Sequence, residues 1–524
     1  DRNGEPLAVS TPVESIWANP TDVLSAADRL PELAKALGLD EEDLKHKLVQ
    51  RSDKEFVYLK RHLNPDDAKA IVGLGIPGVA SEREFRRYYP SGEVMAHVLG
   101  FTNIDDRGQE GLELAFDDWL AGKPGMKRVI RDLHGQVVEN VELLREAQPG
   151  RDLTLSIDRR IQYLAYRELL AGLQEHHATS GSMVIIDVPT GEVLAMVNAP
   201  SYNPNARGAD PSFRRNRAVT DVVEPGSTIK AFTISAALES GKWKPHTPID
   251  TTPGTFTLAD GRVIRDVHNK GMLDVTGVIT HSSNVGAAKI GLTLTRDHLY
   301  DVDHRFGFGE VSGSGFPGES PGLLPNAKAW GPVEQATISY GYGLNVTPLQ
   351  LANAYTAIAN DGRLRSPTFV KGAQNPDTAV IDPQIAANIR AMLETVVTPE
   401  GSGLKAAITN YRVAGKTGTS RAASGGGYDN RHISLFVGMV PASNPRLVGV
   451  VVIHDPQGAY YGGLVSAPVF SKVMDGALRL MDVPPDNVKN WYTGSPQGAP
   501  TMDAKVPASE DTLEMSNFAE GVPP

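Results

Sequence analysis

The chain has 524 residues, more than one ordinary domain needs, and its 40% hydrophobic and 22% charged residues give a globular balance. Its 62 acidic against 51 basic side chains leave a formal net charge of −11, which argues against a broad basic face for nucleic acid. Cysteine is absent, which removes disulfide frameworks, thiolate nucleophiles and cysteine zinc sites, and the 13 histidines form no His-x-x-x-His pair.

Residues 1–150 read as a charged, irregular N-terminal module, with helical spacing at 24–37 and 42–48. A strand is expected at 153–157, just after Pro149-Gly150. Strands at 183–187 and 192–197 are joined by Pro189-Thr190-Gly191, a hairpin signal. Residues 432–439 and 447–453 read as strands and 467–480 as a closing helix. A mixed α+β domain is therefore expected over 151–482, and 483–524, rich in proline, reads as a flexible tail. No apolar run approaches the ~18 residues of a membrane helix. The chain opens on Asp1 without a methionine, and an anchoring segment ahead of it is an expectation.

Three motif matches carry little. Gly73-Leu74-Gly75-Ile76-Pro77-Gly78 and Gly313-Ser314-Gly315-Phe316-Pro317-Gly318 fit a dinucleotide fingerprint, but each has proline where the phosphate-binding helix should begin. Gly318-Glu319-Ser320-Pro321-Gly322 fits a nucleophile elbow without the strand and helix that an elbow needs. All three read as turns.

Ser-x-x-Lys occurs at Ser227-Thr228-Ile229-Lys230 and at Ser402-Gly403-Leu404-Lys405, and about two matches are expected by chance. Context separates them. Ser227 follows Glu224-Pro225-Gly226 and precedes Ile229, Phe232, Thr233, Ala236 and Ala237 at helical spacing, so it opens a buried helix with Lys230 on the same face. Ser402 lies between two glycines, where no fixed geometry is expected. A serine hydroxyl needs a proton acceptor, and a lysine serves once burial or a second cation lowers its pKa. Lys416-Thr417-Gly418-Thr419, read as following a short strand at 411–414, offers that cation. Gly418 lets a substrate backbone approach, and Thr417 and Thr419 offer hydroxyls to a carboxylate. Ser282-Ser283-Asn284 adds a hydroxyl and an amide that can relay a proton and hold a substrate amide; taken singly, Ser282 is as readily a helix cap.

Together, and in this order, the three motifs resemble the penicillin-recognising serine enzymes, the penicillin-binding proteins and serine β-lactamases. Asp1-Arg2-Asn3-Gly4, Arg86-Arg87-Tyr88-Tyr89-Pro90, Ala96-His97-Val98-Leu99-Gly100-Phe101 and Gly108-Gln109-Glu110-Gly111-Leu112-Glu113 are similar to the pedestal of class B penicillin-binding proteins. Glu224-Pro225-Gly226-Ser227, Lys416–Arg421, Tyr461-Gly462-Gly463 and Ala467-Pro468-Val469-Phe470 resemble the division-specific type, penicillin-binding protein 3 or FtsI. The sequence departs from much of that family at Ala231, where proline is expected, and at the glycine run 425–427.

The resemblance implies a transpeptidase domain, an antiparallel sheet flanked by helices, on an irregular pedestal. It implies a peptidoglycan DD-transpeptidase that works without metal or organic cofactor. Ser227 would attack the bond between two D-alanines of a stem peptide, with Lys230 as base, Ser282 passing the proton on and Lys416 tuning the field. Asn284 would hold the donor amide, and the backbone N–H groups of Ser227 and Thr419 would form the oxyanion hole. Thr417, Thr419 and Arg421 would hold the terminal carboxylate, with Glu224, Gly418, Tyr460 and Tyr461 on the substrate side. Implied partners are the donor and acceptor stem peptides, β-lactams, a membrane glycosyltransferase and other division proteins, and no nucleic acid. The implied place is the periplasm, with an N-terminal anchor in the inner membrane. A serine β-lactamase is the alternative enzyme, disfavoured by the absence of Glu-x-x-x-Asn between Asn284 and Lys416 and by the surplus N-terminal module. A division scaffold with secondary catalysis is the alternative of another class.

Overall fold

The computed structural model describes residues 1–131, 137–206, 208, 210–424 and 427–488. Near the N-terminus β1 (Val9–Ala18) lies between β2 (Val57–Leu63) and β3 (Val79–Tyr88) in a three-stranded antiparallel sheet. Helices cover it. Leu30–Leu37 buries Leu30, Leu33, Ala34 and Leu37, one apolar stripe, and stops at Gly38 in the left-handed region. Glu41–Gln50 starts where the Asp40 carboxylate accepts the Asp43 N–H. The continuous helix expected over 24–37 is instead Pro20–Ser25, a short turn Ala27–Arg29 and Leu30–Leu37. Pro31 explains the break, because proline lacks the N–H an interior helix position needs and is accommodated in a first turn. A two-stranded ribbon, β4 (Met126–Arg131) with β5 (Val137–Arg145), follows.

The larger part is built on a five-stranded antiparallel sheet. Its strands are β6 (Ser180–Asp187), β7 (Val193–Ala199), β8 (Ala414–Ser424), β9 (Gly427–Val440) and β10 (Leu447–His454), in the order β8-β9-β10-β6-β7. Every residue of β6 and β7 is buried, as is all but the last of β10. Both faces are therefore covered, which is why these strands read as unbroken apolar runs rather than alternating ones. Helices Arg159–Glu175 and Gly462–Leu480 pack one face and Pro348–Ala359 the other, with Lys230–Glu239 behind it through Phe232 against Tyr355.

Three expectations need correction. Residues 153–157 form no strand; only Leu155 bridges to Val370, while Ser156 Oγ donates to the carbonyls of Val193 and Thr368. The strand expected at 411–414 starts at Ala414 and runs to Ser424, so Lys416-Thr417-Gly418-Thr419 lies within β8, at the sheet edge. The tail expected from Val483 begins pinned. Tyr411 Oη donates to Val483 O at 2.6 Å, and Asp486 accepts from Arg412 N at 2.7 Å and from Ser443 Oγ at 2.7 Å. Residues 489–524 of that reading lie outside the described residues.

The principal core runs through both parts. Leu7, Tyr89, Met95, Val98, Leu99 and Leu112 are buried in one cluster with Val184, Ile229, Phe232 and Tyr355. Among the described residues no helix is long and apolar enough to cross a membrane, and no group of His, Cys, Asp and Glu side chains could hold a metal ion.

Candidate active site

Ser227 sits in a 3-10 turn, Gly226–Ile229, that runs directly into the helix Lys230–Glu239. Gly226 has φ +53°, and a Cβ there would come within 3.0 Å of Thr419 O. Only glycine meets both demands, the left-handed backbone and the close approach to β8. Gly341 O accepts the Gly226 N–H at 3.1 Å, and the Glu224 carboxylate accepts the Gly343 N–H at 2.8 Å, so the segment before Ser227 is tied to the loop at 341–343. Tyr355 Oη, fully buried, donates to Thr228 O at 2.7 Å and holds the other side.

Lys230 is fully buried, and its ammonium group reaches four acceptors: Ser227 Oγ at 2.8 Å, Ser282 O at 2.7 Å, Ser282 Oγ at 3.3 Å and Asn284 Oδ1 at 2.7 Å. Burial holds its pKa well below the ordinary lysine value; the nearby Lys416 lowers it further, and Asp266 opposes both. Lys416, also fully buried, donates to Ser282 Oγ at 2.9 Å and to Thr417 O at 3.2 Å. Burial pulls its pKa to about 7. The Ser282 hydroxyl thus stands between two lysines, one of which also holds Ser227. Such a chain can take a proton from a serine and return it to a departing group.

Ser282 is free for this because its neighbour does the capping. Ser283 is the N-cap of the helix Asn284–Leu292, its Oγ accepting the Gly286 N–H at 2.8 Å. Asn284 is engaged at both ends, Oδ1 by Lys230 and Nδ2 donating to Arg265 O at 3.1 Å.

Along β8, Lys416 and Gly418 face the serines. A Cβ on Gly418 would lie 2.9 Å from Pro225 O and 2.9 Å from Thr228 Cγ2, so the glycine serves the seating of the Ser227 turn on the strand. The freedom expected there for a substrate backbone is thus used by the protein's own turn as well. Thr419 Oγ1 accepts the Gly462 N–H at 3.2 Å. Thr417 Oγ1 lies 2.7 Å from Ser402 Oγ, which corrects the expectation of no fixed geometry at Ser402: that serine buttresses the Lys-Thr-Gly strand. Arg421 is exposed, in register with His432, and His432 stacks on Tyr460 at 4.0 Å. The Tyr460 and Tyr461 hydroxyls are 3.5 Å apart, at the start of Gly462–Leu480. The structure therefore gathers Ser227, Lys230, Ser282, Asn284 and Lys416 through direct contacts, with Thr417, Gly418 and Thr419 beside them. Arg421, Tyr460 and Tyr461 lie farther along β8 and its rim. Asp266 and the loop at 341–343 are additions that no local motif announces.

The turns at 73–78 and 313–322 carry left-handed glycines and stay outside this group. A family model described as the penicillin-binding protein transpeptidase domain matches residues 181–475. The chain belongs to that family. A second model, the penicillin-binding protein dimerisation domain, matches residues 1–155. The chain is 46% identical to the probable peptidoglycan D,D-transpeptidase PbpC of Pseudomonas aeruginosa, over 94% of this chain and 87% of that protein. It is 45% identical to the peptidoglycan D,D-transpeptidase FtsI of Escherichia coli strain K12, over 93% of this chain and 84% of the relative. Among solved structures, the transpeptidase domain of Burkholderia pseudomallei penicillin-binding protein 3 matches with TM-score 0.59 and 43% identity, over 64% of this chain and 99% of that one. A peptidoglycan synthetase from Bifidobacterium adolescentis matches with TM-score 0.74 and 26% identity, over 93% and 96% of the two chains. The similarity to class B proteins of the FtsI type covers nearly the whole chain.

Proposed function

We propose that this chain is a serine-type peptidoglycan D,D-transpeptidase that cross-links stem peptides during septal wall synthesis and is acylated by β-lactams. The observation that carries the reading is the buried Lys230, whose Nζ lies 2.8 Å from Ser227 Oγ and 2.7 Å from Asn284 Oδ1. Ser227 Oγ attacks the carbonyl between the two terminal D-alanines, and Lys230 takes its proton. The tetrahedral oxyanion lies against the backbone N–H groups of Ser227 and Thr419. Ser282 passes a proton to the departing amine, the last D-alanine leaves, and an ester to Ser227 remains. The amine of a neighbouring stem peptide attacks that ester, giving up its proton along the same path and restoring the serine.

Lys416 holds Ser282 and keeps positive charge beside Lys230. The terminal carboxylate is held by Thr417, Thr419 and Arg421, and Tyr460 and Tyr461 flank the cleft. Asn284 gives Oδ1 to Lys230 and one Nδ2 hydrogen to Arg265 O, so its second Nδ2 hydrogen can hold the donor amide with both contacts kept. Glu224 acts through the 341–343 loop.

The same proposal divides the chain into a pedestal at 1–150, a transpeptidase domain at 151–482 and a terminal segment from 483. It gives the pedestal to a membrane glycosyltransferase and other division proteins, and places the enzyme in the periplasm behind an N-terminal membrane anchor.

Intact-mass spectrometry with a penicillin tests the reading. A one-to-one adduct that lasts for hours on the native chain and is absent from Ser227→Ala is the expected result. Rapid loss of drug without a lasting adduct would make the chain a β-lactamase. Rescue of a division defect by Ser227→Ala would make it a scaffold.

A further inference from the structure

The lysines hold the Ser282 hydroxyl and Lys230 also donates to its carbonyl, whereas the residues that follow are held from elsewhere. Ser282 has φ +59°, the left-handed region that a residue with a Cβ enters only when its surroundings impose it. The segment after Ser282 is held by Asp266, which comes just after the short hairpin Thr255–Thr257 with Val263–Arg265. Its Oδ2 accepts from Ser283 Oγ at 2.6 Å, and its Oδ1 accepts from the N–H of Asn284 at 2.6 Å and of Val285 at 3.0 Å. Arg265 O takes Asn284 Nδ2 at 3.1 Å, and the Asp266 N–H donates to Gly254 O at 2.9 Å. Ser283 Oγ accepts the Gly286 N–H, so the Asp266 carboxylate completes the start of the helix Asn284–Leu292 by taking the N–H groups of its first two residues. The last residue of the hairpin and the one just after it thus clamp the three residues that follow the relay serine.

We propose that Asp266 is a positioning residue for acylation, its carboxylate fixing the Ser283-Asn284-Val285 segment so that the left-handed Ser282 presents its hydroxyl between Lys230 and Lys416. The inference rests on the transpeptidase reading of this site. Asp266 also carries charge. Two charges act on Lys230, Lys416 from β8 lowering its pKa and Asp266 raising it, while Ser227, Ser282 and Asn284 face it as neutral groups. Removing the carboxylate's charge therefore makes the lysine a base at lower pH even as it loosens the relay.

The test is the second-order rate of acylation by a penicillin, followed against pH in the native chain, Asp266→Asn and Ser283→Ala, with the melting temperature of each. Asp266→Asn is nearly isosteric and is expected to acylate at least tenfold more slowly at pH 7. Its acidic limb should move to lower pH, with a melting temperature within a few degrees of native. Ser283→Ala keeps the charge and loses two contacts, to Asp266 and to the Gly286 N–H, so it should slow acylation with the limb unmoved. Native-rate acylation by Asp266→Asn would overturn the proposal. A loss of rate that tracks the loss of melting temperature, with an unmoved limb, would overturn it equally, since that is what a merely structural aspartate predicts. A native chain that forms no adduct would instead sink the transpeptidase reading itself.

Discussion

At the residue scale the site is a problem of burying two lysines next to each other. Taking both ammonium groups out of water costs free energy, and the same cost makes one of them available as a base. Replacing Lys416 with methionine removes the positive charge beside Lys230 and lets the Lys230 pKa rise. The acidic limb of acylation should then move to higher pH, opposite to the Asp266→Asn shift, and the rate should fall about 10²-fold or more as Ser282 loses a donor. Stability carries the same signature. The folded Lys416 titrates near 7 against an ordinary value of 10.5. Between those values the unfolded chain binds the proton that the folded chain releases, so stability rises with pH there. The melting temperature of the native chain should climb from pH 7 to pH 9 more steeply than that of Lys416→Met. Most reacting groups were legible in the sequence because each lies in a short motif with its own chemistry. Asp266 was not, because a carboxylate that ties down a distant backbone leaves no spacing to read.

At the scale of elements, the apolar runs gave away β6, β9 and β10, since strands covered on both faces need apolar residues at every position. The alternation at 153–157 misled because a buried Ser156 can satisfy itself on two carbonyls without any ladder. The placement of Lys416-Thr417-Gly418 inside a strand was also hidden, because small and polar residues carry the strand on past Ala414, where the expected one stops. What they do instead is let a helix start sit on a sheet edge. Gly418→Ala would force its methyl against Pro225 O and Thr228 Cγ2. Overpacking of this kind costs about 1–3 kcal/mol, and it should push the Ser227 turn off β8. A drop of at least tenfold in acylation with a modest fall in melting temperature is expected from stopped-flow and thermal unfolding. An unchanged acylation rate would mean that the turn tolerates the shift.

At the scale of the whole molecule, the core does not respect the line near residue 150 that composition suggests. Leu99 is 5% exposed and lies in the same cluster as Ile229 and Phe232. Hydrogen bonds cross in the same place, His97 Nε2 with Phe213 O at 2.7 Å and Asn216 Nδ2 donating to His97 O at 3.0 Å. A shared core predicts shared unfolding. Leu99→Ala should cost about 2–5 kcal/mol and lower a single transition in calorimetry, with loss of penicillin binding following the same curve. Two separated transitions, only one of them shifted, would show instead that the parts fold apart. Sequence texture finds where composition changes; it does not report which side chains meet across the change.

The pinning of Asp486 to Arg412 and Ser443 sets where the last described residues leave the domain. Arg412 lies just ahead of β8, seven positions before Thr419, so a rise of about 3.3 Å per residue puts the exit roughly 20 Å from the cleft along the strand. A biotin or an affinity handle attached at Val488, which is exposed, would hold the protein on a sensor surface from the end of the strand away from Ser227. Drugs and peptides arriving from solution would still find the cleft open.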